Sequence, residues 1–157
     1  MGHEHGAPAQ DQHAGQVAAA HGDPVHMARM TALRDQLRVK LGAAYEAPVP
    51  GLEEASPERG AETFGRLCSP CHGPKGKGDG PAGPGLQPPP ADLTDPEHAR
   101  FYTDAGRVEI IREGSPGTAM AAFGGHLSEA ELLDVYAYVR TLRGDRPPPP
   151  DEGHHGH

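Results

Sequence analysis

Cys68-Ser69-Pro70-Cys71-His72 is the stretch that decides the fold of this 157-residue chain. It holds both cysteines of the sequence, three positions apart, and a histidine follows the second directly. Such a pair serves as a redox dithiol, as part of a zinc or iron–sulfur site, or as the attachment point of a covalent haem. Zinc and iron–sulfur sites need further ligands, and a redox dithiol follows a β-strand. No other cysteine and no alternating strand pattern are present, which favours haem attachment.

The pentapeptide therefore predicts one covalently bound haem c. In this chemistry each thiol adds to one vinyl group of the porphyrin, so Cys68 and Cys71 form two thioethers. His72, which follows the second thioether directly, is expected to be the proximal ligand of the iron.

The composition also indicates a fold that a cofactor stabilises. Leu, Ile, Val and Phe together supply only 23 residues, whereas Gly and Pro supply 22 and 18. A chain with so few large apolar side chains needs a disulfide, a metal or a cofactor to fold stably. A porphyrin supplies the missing apolar volume, so we expect the apoprotein to be unfolded or molten.

Charge and hydropathy disfavour several classes of function. The formal net charge is −8 and no basic patch is present, which disfavours nucleic-acid binding. No apolar run is long enough to predict a transmembrane segment. The first 20 residues lack the basic start and apolar region of a signal peptide. Because haem takes both cysteines, we expect no lipid anchor on an N-terminal cysteine.

Apolar periodicity predicts an all-α fold of about four helices around the haem, with an extra N-terminal helix. We divide the chain into a flexible His-rich tail (1–22), an amphipathic helix and linker (23–55), a haem domain (56–143) and a Pro/His-rich tail (144–157). Start and stop signals place helices at about 24–41, 57–67, 95–101 and 104–113, and a last helix after the capping box at Ser128. The stretches 43–55, 73–91 and 114–126 are predicted to be linker or loop.

Residues 56–143 resemble a class I monohaem c-type cytochrome. Gly60 and Phe64 match the small residue and the aromatic, four apart, of that family's first helix. Val135 and Tyr138 match the aliphatic and the aromatic of its last helix. The resemblance implies that these two helices cross nearly perpendicularly and that their backbones approach closely at Gly60.

The resemblance also implies how the proximal histidine is oriented. In the family a Gly-Pro-x-Leu turn follows the attachment motif, and Gly83-Pro84-Gly85-Leu86 is the best match. Pro84 and Leu86 are therefore expected to bind the cofactor, with the Pro84 carbonyl accepting a hydrogen bond from His72 Nδ1–H. A similar turn at Pro81 is the alternative.

The distal ligand of the family is a methionine in the loop before the last helix, and Met120 occupies that place. Ala121 departs from the family, which more often has proline directly after this methionine. Met120 as a core side chain and His126 as the distal ligand are the alternatives. His98, on the short helix, is expected to be solvated.

His/Met ligation raises the reduction potential and fills the sixth coordination position of the iron. The resemblance therefore implies a soluble one-electron carrier rather than an enzyme, which passes electrons between redox partner proteins. It also implies a periplasmic or otherwise extracytoplasmic location, with a signal peptide that is absent from this sequence. Lys75 and Lys77, near the haem motif, are candidate docking residues.

Two other functions stay open at this point. Eight of the 11 histidines lie in the extensions, and His-rich tracts bind divalent copper, nickel or zinc. His21, His26, Met27 and Met30 would suit copper, which makes a metal-handling or sensing module the main alternative. Met30 equally fits the apolar stripe of the helix at 24–41. An enzyme with an open haem site, peroxidase-like or gas-binding, is the other alternative.

Overall fold

Six α-helices, two 3₁₀ helices and no β-strand make up residues 24–143, the part of the chain that the computed structural model describes. This confirms the all-α class, and the tails predicted at 1–22 and 144–157 lie outside the described residues. The 3₁₀ helices are Gly42–Tyr45 and Leu52–Glu54. The α-helices are α1 (Pro24–Leu41), α2 (Pro57–Leu67), α3 (Ser69–His72), α4 (Pro96–Arg100), α5 (Asp104–Glu113) and α6 (Glu129–Arg140).

The chain divides into two compact units, Met1–Gln36 and Leu37–His157, so the boundary falls within α1. In the first unit, the described part of α1 buries Met30 and leaves Val25 exposed. None of the helices between residues 24 and 143 combines the length and the apolar composition that a bilayer-spanning segment requires. The second unit carries all the haem-site residues predicted from the sequence.

The helix starts of the second unit follow the local capping signals. Ser128 and Glu131 form the predicted capping box, in which the side chain of each accepts a hydrogen bond from the backbone N–H of the other. Ser56, Asp95 and Thr103 cap α2, α4 and α5 in the same sense, each accepting from a backbone N–H of the first turn. Capping satisfies N–H groups that a helix cannot bond internally, so these residues fix where the helices begin.

Helices α2 and α6 form the centre of the core. A Cβ atom at Gly60 would lie 2.9 Å from the backbone nitrogen of Val135 and closer still to the carbonyl oxygen of Asp134. The rings of Phe64 and Tyr138 meet with centroids 5.2 Å apart. The predicted contact between the Gly60/Phe64 pair and the Val135/Tyr138 pair is therefore confirmed.

A buried carboxylate fastens the start of α2 to α6. The Asp134 side chain accepts hydrogen bonds from the backbone N–H of Ser56, at 2.7 Å, and from Nε of Arg59, at 3.0 Å. A buried charge is tolerated where it is paired and hydrogen-bonded, as it is here. Asp134 was not among the residues that the sequence pattern singled out.

The stretch 43–55, predicted to be a linker, is part of the folded unit. Tyr45 and Leu52 are 2% and 4% exposed, and Leu52 belongs to the core cluster. Lys40, in the last turn of α1, forms an ion pair of 2.6 Å with the buried carboxylate of Glu109 on α5. The prolines and the glycine in this stretch prevent a long helix but not two short 3₁₀ turns, which is why the sequence pattern looked like a linker.

Candidate haem-attachment site

The two cysteines lie where α2 gives way to α3. Cys68 caps the end of α2, and its N–H donates to the carbonyl of Phe64. The backbone N–H groups of Cys71 and His72 both donate to the carbonyl of Cys68, at 3.2 and 2.9 Å. Because the backbone is helical here, residues three apart face the same side, so both thiols are available to one ligand.

Both thiols are free and half-buried. Burial, with a smaller contribution from Cys71, raises the pKa of Cys68 to about 11. A redox-active dithiol depends on a thiol whose pKa is lowered. The raised pKa of Cys68 therefore speaks against the dithiol interpretation of the pentapeptide.

The imidazole of His72 is held in one tautomer. Its Nδ1 lies 3.1 Å from the carbonyl oxygen of Ala91. Since a carbonyl only accepts, Nδ1 must carry the proton, and Nε2 keeps the lone pair that a metal requires. Burial lowers the pKa of His72, and the hydrogen bond to Ala91 only partly opposes this. The lowered pKa keeps the imidazole neutral, and the hydrogen bond to Ala91 fixes its orientation.

The predicted role of Pro84 as the acceptor is wrong, because the Ala91 carbonyl occupies that place. Pro84 and Pro81 are exposed, and Leu86 is half-buried in a turn closed by its own N–H and the carbonyl of Gly83. The sequence does contain a signal for the Ala91 acceptor, since Leu93 follows Ala91 at the same spacing as Leu86 follows Pro84. Leu93 packs against the core, and its N–H donates to the carbonyl of Gly76.

The path of the loop explains why the earlier turn is not used. The N–H groups of Gly80 and Ala82 donate to the carbonyls of Cys71 and Pro70, so this part of the loop lies back on the cysteine motif. A Cβ atom at Gly80 would lie 2.6 Å from the carbonyl carbon of Pro70, and only glycine fits there. The chain reaches the ring of His72 only later, at Ala91.

Met120 lies in the predicted loop between α5 and α6 and is half-buried. Its N–H donates to Oγ1 of Thr118, at 3.1 Å, and that hydroxyl donates to the carbonyl of Ser115, at 2.7 Å. The N–H of Phe123, further along, donates to the carbonyl of Ile111 in α5. These bonds fasten the loop on both sides of Met120 without the proline that the family more often has at position 121.

The other predicted candidates lie in different surroundings. His126 is exposed, as are Lys75 and Lys77. His98 is not solvated as expected, because it is half-buried and its Nδ1 lies 3.2 Å from Nη2 of Arg107.

The tail metal site stays a prediction. His21 lies outside the described residues, His26 and Met27 are half-buried, and Met30 is 6% exposed. No group of three or more His, Cys, Asp or Glu side chains suited to a metal ion occurs within residues 24–143.

The donor set fits a covalently bound haem. Two thiols on one side of a helical segment match the two vinyl groups, and a neutral imidazole with Nε2 free matches the axial position of iron. When bound, the haem supplies a one-electron Fe(III)/Fe(II) couple. An all-α fold around this site defines the c-type class of haem proteins.

Comparison with protein families gives the same class. Residues 57–143 match the family model described as "Cytochrome c". The chain belongs to the cytochrome c family, whose members carry covalently attached haem c and transfer electrons.

Individual relatives share this domain. The chain is 33% identical, over 125 residues, to the Cbb3-type cytochrome c oxidase subunit FixP of Azorhizobium caulinodans, a match that covers 80% of this chain and 38% of the relative. The chain thus spans about two fifths of that protein's length. The fold is similar, with a TM-score of 0.52 and 24% identity, to a chain of the Kuenenia stuttgartiensis reducing HAO-like protein complex Kustc0457/Kustc0458, over 66% of this chain and 50% of that one.

Proposed function

We propose that this chain is a one-electron carrier with a single haem c, whose iron is bound by His72 Nε2 on one side and by the Met120 thioether on the other. The hydrogen bond from His72 Nδ1 to the Ala91 carbonyl carries this proposal, because it fixes the imidazole in the tautomer that ligates iron. The thioether stabilises ferrous over ferric iron and leaves no open position for a substrate. Such a centre passes electrons and performs no other chemistry.

The loop of Met120 supports the choice of this sulfur. Within residues 24–143 the other methionines, Met27 and Met30, both lie on α1. Met120 is half-buried, and hydrogen bonds through Thr118 fix the loop around it. A fixed loop presents its ligand at little entropic cost, which suits a centre that cycles between two oxidation states.

We further propose that the protein acts outside the cytoplasm, where c-type haem is attached, and exchanges electrons with partner proteins. The relative from Azorhizobium caulinodans is named as an oxidase subunit, and the similar Kuenenia stuttgartiensis structure is a complex. Both therefore work next to other proteins. Exposed Lys75 and Lys77, beside the attachment motif, are the proposed docking residues.

The ligation is tested by Met120→Ala in the holoprotein, with Met27→Ala as the matched control. We expect Met120→Ala to lose the weak far-red sulfur-to-iron band of the ferric spectrum, to take up carbon monoxide and to lower the potential. Met27→Ala should keep the wild-type spectrum and potential. A Met120→Ala protein with the wild-type spectrum would show that another residue is the ligand, and rapid carbon monoxide binding by the wild type would favour the open-site enzyme.

A further inference from the structure

Residues 37–55, which we name the N-terminal segment, precede the part of the chain that matches the family model, and they pack on helix α5. Tyr45 is 2% exposed, and its hydroxyl accepts a hydrogen bond from the backbone N–H of Thr103 at 3.4 Å. A Cβ atom at Gly106 would lie 2.8 Å from Cε1 of Tyr45 and 3.6 Å from Cδ1 of Leu37. The N-terminal segment therefore lies directly against the first turn of α5.

A buried carboxylate joins the N-terminal segment to the second half of α5. The Glu109 side chain is only 7% exposed, and Nζ of Lys40 lies 2.6 Å from its Oε2. The hydrogen bond to Glu109 raises the pKa of Lys40. Oε1 of Glu109 accepts a hydrogen bond from Nη1 of Arg112, which lies three residues further along the helix. A buried carboxylate is stable only where cations pair with it, so Glu109 depends on both partners.

The same arginine connects α5 to the Met120 loop, which we define as residues 114–127. Arg112 Nη2 donates to Oε2 of Glu129, in the first turn of α6, which follows this loop. The backbone carbonyl of Arg112 accepts a hydrogen bond from the N–H of Gly124 at 3.0 Å. A Cβ atom at Gly124 would lie 2.9 Å from Cγ of Arg112, so the loop lies directly against this side chain.

The beginning of the Met120 loop also lies against the end of α5. A Cβ atom at Gly114, the residue after α5, would lie 2.9 Å from the carbonyl oxygen of Met120 and 3.2 Å from the backbone nitrogen of Ala122. The N–H of Ser115 donates to the same carbonyl of Met120, at 3.4 Å. The position of Met120 therefore depends on α5, whereas His72 follows α2. Movement of α5 would change the distance between the thioether and an iron bound to His72.

We propose that the N-terminal segment positions α5, through the pair Lys40–Glu109, and thereby sets how readily the Met120 thioether leaves the iron. Val108 belongs to the core cluster, so the core holds one side of α5. The N-terminal segment holds a second side, on which Gly106 and Glu109 lie three residues apart. Lys40 and Glu109 are thus positioning residues that act through Met120. This proposal rests on the proposed function, in which Met120 is the distal ligand.

Imidazole binding to the ferric holoprotein measures this effect. Imidazole binds the iron only after the thioether has left, so its apparent dissociation constant falls as the fraction of open protein rises. We expect Glu109→Gln, which removes the carboxylate that pairs with Lys40 and Arg112, to lower this constant about tenfold, because hydrogen bonds to charged groups are among the stronger ones. A titration followed by the absorbance of the haem gives the constant.

Three further variants make the result specific. Lys40→Gln should lower the constant in the same direction but by a smaller factor, because the Lys40 side chain is 55% exposed. It also keeps the test decisive if the buried substitution at position 109 prevents folding. Lys40→Arg keeps the charge and should keep the wild-type constant. Glu62→Gln removes an exposed carboxylate from α2, outside the N-terminal segment, and should keep it as well.

Two results would overturn the proposal: wild-type imidazole affinity in both Glu109→Gln and Lys40→Gln, or an equal rise in affinity in Glu62→Gln. A purely structural role predicts the first result together with a lower melting temperature by circular dichroism. The far-red sulfur-to-iron band of the wild type reports separately on Met120. If that band is absent, ligation by Met120 is wrong and this proposal fails with it. If the band is present and the affinities do not change, only this proposal fails.

Discussion

Single atoms decide whether His72 serves as a ligand. The Ala91 carbonyl holds the proton on Nδ1, and burial keeps the ring neutral, so Nε2 is ready for iron at neutral pH. The identity of residue 91 matters less than its backbone, because the acceptor is a main-chain carbonyl. The sequence pattern therefore placed the acceptor in the wrong turn, at Pro84. It was right that a backbone carbonyl accepts the hydrogen bond from His72.

Tyr136 gives a prediction at the same scale. It is fully buried, and burial, followed by the charge of Asp104, raises its pKa well above the usual value of 10. A raised pKa means that the protonated phenol stabilises the fold below pH 10 and that this contribution is lost as the pH rises from 10 through the folded-state pKa. We therefore expect Tyr136→Phe to lose about 1–2 kcal/mol of unfolding free energy at pH 7, since it removes a buried hydrogen-bonded hydroxyl. Its stability should then fall less steeply than that of the wild type above pH 10.

Urea unfolding between pH 7 and pH 11 measures both effects. Tyr138→Phe is the control, because it removes a hydroxyl from a less buried ring on the same helix, and it should keep the steep alkaline decline. An equally steep decline in Tyr136→Phe would show that another group governs alkaline unfolding.

At the level of elements, the close contact between α2 and α6 limits which side chains are tolerated at position 60. A Cβ atom there would meet the backbone of Asp134 and Val135, and backbone atoms cannot move aside as a side chain can. We expect Gly60→Ala to separate the helices and to cost about 3 kcal/mol or more, at the upper end of the usual range for overpacking.

Gly65 on the same helix is the matched control for Gly60. A Cβ atom at Gly65 has no neighbour within 4 Å, so Gly65→Ala should stabilise α2 by about 0.5–1 kcal/mol through helix propensity alone. Thermal unfolding of the two holoproteins compares them directly. Equal melting temperatures for the two variants would mean that the close helix contact does not limit stability.

Five of the six described α-helices could be predicted from the sequence, whereas the short helix α3 and the course of the loops could not. Capping residues such as Ser56 and Ser128 and the 3.6-residue apolar pattern act locally, so they fixed the helices to within a few residues. The path of the loop 73–91 depends on which distant carbonyl accepts a hydrogen bond from each backbone N–H. Several glycine and proline turns in this loop have similar sequences, so the sequence does not distinguish between them. The ion pairs of Asp104 with Arg140 and Arg143 were not predicted for the same reason, since these partners are far apart in sequence. The burial of the stretch 43–55 was not predicted, because 3₁₀ turns have no strong sequence signal of their own.

At the scale of the whole molecule, we expect the fold to depend on the bound haem. The core cluster is built mainly from α6 and parts of α2 and α5, with Phe64, Val108 and Tyr136 among its fully buried side chains. Beyond it lies a long loop rich in glycine and proline, which buries little apolar surface of its own. A porphyrin bound through Cys68, Cys71 and His72 would supply the apolar volume that this loop lacks.

The double variant Cys68→Ala, Cys71→Ala tests this dependence. Without the two thioethers we expect the haem to be lost. The chain should then be molten or unfolded and show no cooperative thermal transition, because folding is coupled to the binding of a structural cofactor. Circular dichroism at 222 nm with a thermal scan is the measurement, and wild-type holoprotein from the same cells is the control. Native helix content with a sharp transition in the double variant would show that the polypeptide folds by itself.

The most direct test of the whole account is the intact mass of the denatured protein, purified from cells that attach c-type haem. The account predicts the mass of the chain plus one haem, a haem that stays bound under denaturing conditions, and its loss in the double cysteine variant. A denatured chain with no haem, or with more than one, would contradict it.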